Sequence, residues 1–335
     1  MTVRPESPTR REVSPRRYLV QLVLVFALTG AVLVPGYIEI FPQYVFSETY
    51  GRWRAQLDFI AEPGPDPEIL IAGDSRVQAA ILPARLGPEA RSIALGGATA
   101  IETYYLFRRY LEHHAPPRVL LVSVSPFHME KVDVFWNWTI KWKALRAPEA
   151  LELFRRAEAL DDRVLGEPDA RELSLRWARL RLNTIVDYAP ELRKTFPSRR
   201  ARSRQANALV VAAQGHSYYG EEVTCSEPNQ EVWDKDGFQA SPLLDAYLQD
   251  TLALAARHGV RVVLAAMPMN HSSWQAIEPE YFADYHQHVA RLAAQRPQVE
   301  VRAFLWTLPD DHFGDASHVN ERGALLVTDW LAPLL

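Results

Sequence analysis

From Tyr18 to Ile38 the chain carries no charged residue, and Leu19–Val34 is nearly all aliphatic. An apolar run of about 20 residues has the length needed to cross the hydrocarbon core of a bilayer as a helix. Arginines precede it and Glu39 is the first charge after it. Excess Arg on the N-terminal side predicts that residues 1–17 stay in the cytoplasm and the body is exported. A cleaved signal peptide would also begin with basic residues before an apolar run. This run is longer than a usual signal core, small-x-small sites near its end are poor, and Pro35-Gly36 is placed to break the helix at the interface. The expectation is therefore an uncleaved transmembrane anchor over 18–38.

Beyond the anchor the pattern changes. Residues 39–65 are aromatic and polar and end in Pro63-Gly64-Pro65, which reads as a linker. Short apolar runs of strand length then follow at Ile69–Ala72, Ser92–Leu95 and Val119–Val124. Between the second and third, Thr99 starts an amphipathic helix reaching about His113, stopped by Pro116-Pro117. Later, Ser241-Pro242 supplies an N-cap and first helical position for a helix to about His258, ended by Gly259. A strand at Val260–Ala266, a helix at Tyr281–Gln295, a strand at Val299–Phe304 and a closing helix from Asn320 to Leu335 complete the series. Apolar strands alternating with helices predict a parallel sheet covered on both faces, a three-layer α/β/α sandwich. The stretch 131–240 breaks the alternation and reads as a mostly helical insertion in a domain spanning 66–335. It holds Trp136, Trp138, Trp142 and Trp177, an Arg-rich amphipathic helix around 168–183, and a basic run at 198–204 that reads as a solvated loop.

Charge narrows the function classes. Residues 1–17 hold five arginines and two glutamates, net +3; taking that from the chain's −4 leaves about −7 for the rest. An acidic body argues against nucleic acid as the main partner. Cys225 is the only cysteine among 335 residues, so neither an internal disulfide nor a cysteine-based zinc site can form. No clustered His/Asp set suggests a metal, and no cofactor is implied.

Two sites carry chemistry. Gly73-Asp74-Ser75 stands where the first strand meets a helix, the end of a parallel sheet where active sites form. A serine there is exposed beside backbone N–H groups able to stabilise an oxyanion, although a capping residue is the ordinary reading of such a position. Asp315-Ala316-Ser317-His318 lies after the final strand and before the last helix. Its three-residue offset lets a carboxylate reach the imidazole Nδ1, leaving Nε2 to take the serine proton. Asp310, Asp311 and His312 form a nearby rival cluster.

A serine after the first strand and an Asp-x-x-His before the last helix resemble the SGNH (GDSL-type) hydrolases, whose fold is flavodoxin-like. The resemblance covers 66–130 and 240–335 and implies a triad of Ser75, His318 and Asp315. It also implies that Gly97, with Gly96 beside it, gives a backbone N–H to the oxyanion hole. The family's Gly-x-Asn-Asp block is missing: Ser123-Val124-Ser125-Pro126-Phe127-His128 stands there, with Ser125 or His128 as a replacement donor. The single anchor, the missing block and Pro268-Met269-Asn270 look like the DltD-type and AlgX/AlgJ-type proteins. That likeness makes Asn270 a candidate ligand contact, and Arg76 follows Ser75 where the DltD-type motif differs. It implies a periplasmic single-pass O-acyltransferase or esterase of an envelope glycan or polyol, working beside a membrane-bound O-acyltransferase. A non-catalytic polymer-binding or docking partner of such an enzyme is the alternative.

Overall fold

The computed structural model describes residues 14–123, 125–183, 187–188, 191, 196–229, 237–297 and 299–335. Arg4, Arg10 and Arg11 of the expected cytoplasmic end, and Val124 of the expected third strand, lie outside these.

Among the described residues seven strands are formed: β1 (Ile69–Ala72), β2 (Ala90–Ser92), β3 (Val119–Ser123), β4 (Arg261–Ala265), β5 (Met269–Asn270), β6 (Val299–Arg302) and β7 (Thr307–Leu308). Five make one parallel sheet in the order β2-β1-β3-β4-β6, while β5 and β7 pair separately. Ile69 stands opposite both Ala90 and Val119, and Val119 opposite Arg261, which fixes the register across the sheet centre. The order reverses direction at β1 and β3, so their carboxyl ends flank a topological switch point, the usual place for a site in an open parallel sheet.

Side chains alternate between two apolar clusters. Leu70, Ala72, Leu120, Val122, Val262 and Leu264 belong to one, shared with helices over residues 48–61, 100–113 and 242–257. Ile69, Ile71, Val119, Leu121, Val263 and Ala265 belong to the other, with Val77, Ala324, Val327 and Leu331. Both faces of the sheet are thus covered, which explains strands apolar at every position.

The helices used below are α1 (Pro15–Ile40), α2 (Glu48–Ala61), α3 (Ser75–Ala80), α4 (Ala100–His113), α5 (Phe196–Ala212), α6 (Pro242–Arg257) and α7 (Glu321–Leu331). Their ends follow the sequence signals. Thr99 and Glu102 close a capping box on α4, Ser241 accepts from the Leu244 N–H at the start of α6, and Gly259 leaves it at φ +69°. The 26-residue α1 is long and apolar enough to span a membrane, with mean hydropathy 2.2 over its best window and no part of that window buried. It runs through Pro35 to Ile40, past the break expected at Pro35-Gly36.

Two expectations are corrected. The supposed linker 39–65 contains α2, whose Trp53, Gln56 and Ile60 are fully buried. At Gly51 an added Cβ would fall 2.0 Å from the Ser203 carbonyl oxygen, so only glycine lets α2 approach α5 this closely. The basic run 198–204 is not a solvated loop; it lies within α5. There Arg199 is 5% exposed and donates to the Val45 carbonyl, and Arg200 stacks on Tyr44. Aromatic side chains within 39–65 supplied the apolar face that a polar-looking segment concealed. The described part of the insertion is mostly helical, and its tryptophans are packing elements. Trp138 stacks on Trp142 with ring centroids 5.1 Å apart, and Trp53 meets Trp142 edge-on at 5.2 Å.

Candidate active site

Buried β1 delivers the chain to Gly73, which sits at φ +140°. A Cβ there would come within 2.9 Å of Ser123 Cβ and 3.0 Å of Val77, so glycine is required on both counts. Asp74 then caps α3, its Oδ1 accepting from the N–H groups of Arg76 (3.0 Å) and Val77 (3.4 Å). Ser75 is the first helical residue. With six residues α3 has little macrodipole, so individual amide N–H groups, rather than the helix as a whole, are what this end offers a negative charge.

The partner turn is set by its own backbone. Phe313 and Val319 form an antiparallel bridge, and Gly314 N–H donates to the His318 carbonyl at 2.9 Å. Inside this turn Asp315 Oδ1 accepts from the N–H groups of Ser317 and His318, both at 2.8 Å. His318 Nδ1 lies 2.9 Å from Asp315 Oδ1 and 2.8 Å from Oδ2, while its Nε2 is 2.8 Å from Ser75 Oγ. In the tautomer that satisfies all three groups, Nδ1–H donates to the carboxylate and Nε2 accepts from the serine hydroxyl. Burial pushes the Asp315 carboxyl up, but hydrogen bonds and charge from His318 and two backbone N–H groups outweigh it and hold it below its ordinary value. The carboxylate is therefore ionised and able to fix the imidazole.

A second Asp–His pair stands behind Ser75. His128 Nδ1 donates to Asp74 Oδ2 at 2.7 Å, and both side chains are buried. Burial again acts to raise the carboxyl, yet the His128 bond and charge, with Arg76, lower Asp74 from 3.8 to about 2. On the other side of Ser75, Arg76 Nη1 donates to Ser125 Oγ. His128 and Ser125, considered as oxyanion donors, thus clamp the residues before and after the serine. A cavity of about 20 Å³ lies there, lined by Thr99, Thr103, Ser125 and His128 on one side and by Val122, Met129 and Leu248 on the other.

Gly97 adopts φ +69°, and an added Cβ would meet Val134 at 2.4 Å. At Gly96 the same atom would lie 3.0 Å from the Tyr219 hydroxyl. Tyr219 was not legible in the sequence. Its ring stacks on the His318 imidazole with centroids 4.6 Å apart and planes 21° from parallel. Its hydroxyl donates to Gln78, and the Arg52 guanidinium stands 4.9 Å from its ring centre. The next residue, Gly220, packs so tightly that a Cβ would sit 1.9 Å from the Gly314 oxygen. The returning end of the insertion therefore braces the histidine turn. Tyr219→Ala should lower kcat roughly tenfold with KM little changed, and Tyr219→Phe should keep most activity, because positioning rather than binding is lost. Steady-state kinetics of the two variants check this.

Asn270 is corrected as a ligand contact. It is fully buried and its amide is spent: Oδ1 caps the Ser273 N–H at 3.0 Å, and Nδ2 donates to the carbonyls of Cys225 (3.0 Å) and Glu227 (2.9 Å). The rival cluster also has structural work, since Asp310 accepts from the Ser272 N–H and hydroxyl and His312 pairs with Asp311. Among the described residues no three His, Cys, Asp or Glu side chains converge as a metal-ligating group.

Compared with known proteins, the chain matches no protein-family model and no curated relative.

Proposed function

We propose that this chain is a serine-dependent O-acyltransferase or esterase of the SGNH (GDSL-type) kind. In this reading Ser75 is the nucleophile, His318 the general base and Asp315 its orienting carboxylate. The observation that carries it is the continuous line Asp315–His318–Ser75, with contacts of 2.8 Å on both sides of the imidazole at the carboxyl end of the sheet. Nucleophile, base and orienter in hydrogen-bond reach form the arrangement that acyl transfer needs. The strand order and the helices on both sheet faces support the three-layer sandwich of that family.

The chemistry follows. Ser75 Oγ attacks an ester or thioester carbonyl as its proton passes to His318 Nε2. The Ser75 and Gly97 amides are the proposed donors to the oxyanion. Collapse expels the alcohol or thiol, which takes the proton from His318, and leaves an acyl-serine. An acceptor hydroxyl or water, deprotonated by His318, then attacks the acyl carbon, and Ser75 recovers its proton. A recess of about 20 Å³ beside the catalytic turn, bordered by Phe127, Met267, Pro268, Leu305 and Ala316, has room for little more than a methyl, which favours a short acyl group over a long one.

The exposed apolar α1 supports an anchor, and the arginines before it support an exported body. A membrane-tethered acyl-transfer site fits modification of an envelope glycan or polyol, supplied by a membrane-bound O-acyltransferase. The test is incubation of the full chain in detergent with p-nitrophenyl acetate or a fluorophosphonate, read by intact mass. One adduct, absent from Ser75→Ala, is expected, and passage of acetyl to an added oligosaccharide makes the enzyme a transferase. A folded wild type that takes up neither label sinks the proposal and leaves the non-catalytic binding reading.

A further inference from the structure

A third cavity, of about 610 Å³, opens where α1 joins the body. Its border includes Ile38, Glu39 and Ile40 from the last turn of α1, so its height relative to a bilayer is set by the same helix. The apolar surface of α1 ends there. Tyr37, Phe41 and Tyr44 cluster with ring centroids 5.4 to 6.5 Å apart, the residue types that settle at headgroup level.

The wall of this cavity is cationic. Arg54 of α2, Lys141 and Lys143 of the insertion and Arg204 of α5 face it, against a single carboxylate, Glu39. Lys143 pairs with Glu39, Arg54 with Asp58, and Lys141 donates to the Asp187 carbonyl at 3.1 Å and stands 3.9 Å from the Glu191 carboxylate. Among the described residues Arg204 has no ion-pair partner. Burial, then the charge of Arg181, pushes the Lys143 ammonium below its ordinary value. Gln43, Asn183 and Asn207 bring amides to the wall, each of the two asparagines using one N–H on Glu39 or on the Gly51 carbonyl and keeping a second, and Trp142 gives an aromatic wall. The volume lies in the range of small-ligand sites.

We propose that this cavity binds the phosphate-bearing headgroup of an anionic lipid, drawn from the leaflet that α1 leaves near Ile40. The excess of cations selects net negative charge, the amides serve phosphate oxygens, and the adjacent helix end lets the acyl chains remain in the bilayer. The consequence reaches the active site through α2. Arg54 faces the cavity, whereas Arg52, two residues earlier, reaches Tyr219, whose ring stacks on His318. The inference rests on α1 being embedded in a membrane, not on the acyl-transfer reading.

The test uses the full chain in a neutral detergent, titrated separately with dioctanoyl phosphatidylglycerol, dioctanoyl phosphatidylcholine, glycerol 3-phosphate and inorganic phosphate. Tryptophan emission and Tm are the readouts. Phosphatidylglycerol should bind about tenfold more tightly than phosphatidylcholine, and Lys143→Gln with Arg204→Gln should abolish that preference. Arg204→Gln alone, at an exposed position, should weaken it and keeps the test valid if the double variant misfolds. Arg202→Gln, outside the cavity on the same helix, should leave it intact. Equal binding of the two lipids, or wild-type preference in both Arg204 variants, overturns the proposal. Free phosphate or glycerol phosphate binding as tightly as phosphatidylglycerol reassigns the cavity to a soluble anion. Flotation with neutral vesicles reports membrane insertion by itself, so loss of α1 embedding is distinguished from loss of headgroup selectivity.

Discussion

Ser75→Ala and His318→Ala should each lower turnover of p-nitrophenyl acetate by roughly 10⁴-fold or more, and the double variant should be no worse than either single one. The reason is geometric. Ser75 Oγ has its base at 2.8 Å, and neither group can act without the other. Asp315→Asn should fall short of these losses yet still reduce kcat by roughly 10³- to 10⁴-fold. An amide at 315 can offer Nδ2–H where the imidazole needs an acceptor, which favours the tautomer with its proton on Nε2. All three variants should keep Tm near that of the wild type, because none opens a core cavity. Kinetics with intact-mass detection of the acetyl adduct measure the effect. Activity surviving Ser75→Ala would remove the nucleophile assignment.

The largest stability effect is expected at Asp74, not at the triad. Asp74→Ala removes the α3 cap and leaves the buried His128 Nδ1–H without its acceptor. Breaking a buried pair from one side costs about 3–5 kcal/mol, enough to lower Tm by roughly 10 °C in a domain of this size. Asp74 also predicts the acid limb. Its folded-state value of about 2 lies below the ordinary 3.8 of such a carboxyl. Its stabilisation, about 2 kcal/mol by linkage, is therefore fully present above about pH 4 and is lost as pH falls through about 2. Denaturant unfolding as a function of pH should show this slope in the wild type. In Asp74→Asn the slope should be shallower between pH 4 and 2, from a lower plateau at pH 7.

The sequence made much of this visible because its signals are local. Four-residue apolar runs with glycine after them gave β1 and the serine turn, and Asp315 to His318 is a three-residue motif whose geometry its own backbone bonds create. Thr99 and Ser241 marked helix starts for the same reason. What escaped was contact between distant segments. Nothing near Tyr219 in sequence announces a histidine ninety-nine positions later, yet the two rings stack. Trp53 and Ile60 reveal α2 as core only once α5 lies against Gly51. Asn270 looked like a ligand contact because the carbonyls of Cys225 and Glu227, which consume its amide, come from the insertion. His128 stood where a donor to substrate was expected, and its bond to Asp74 turned it inward.

The register of the sheet centre governs the order in which the molecule is completed. β3 pairs with β1 early in the chain, but its other edge waits for β4, with the whole insertion synthesised between them. Such non-local pairing is slow, and an open apolar strand edge attracts other chains. A polypeptide emerging N-terminus first thus exposes β3 until residue 265 has appeared, a period in which a holdase would have most to protect. Ser75 is in place long before His318, its proposed base. On that proposal a nascent or prematurely terminated chain carries its nucleophile unarmed, and reactivity arrives only when the turn before the final helix has been made.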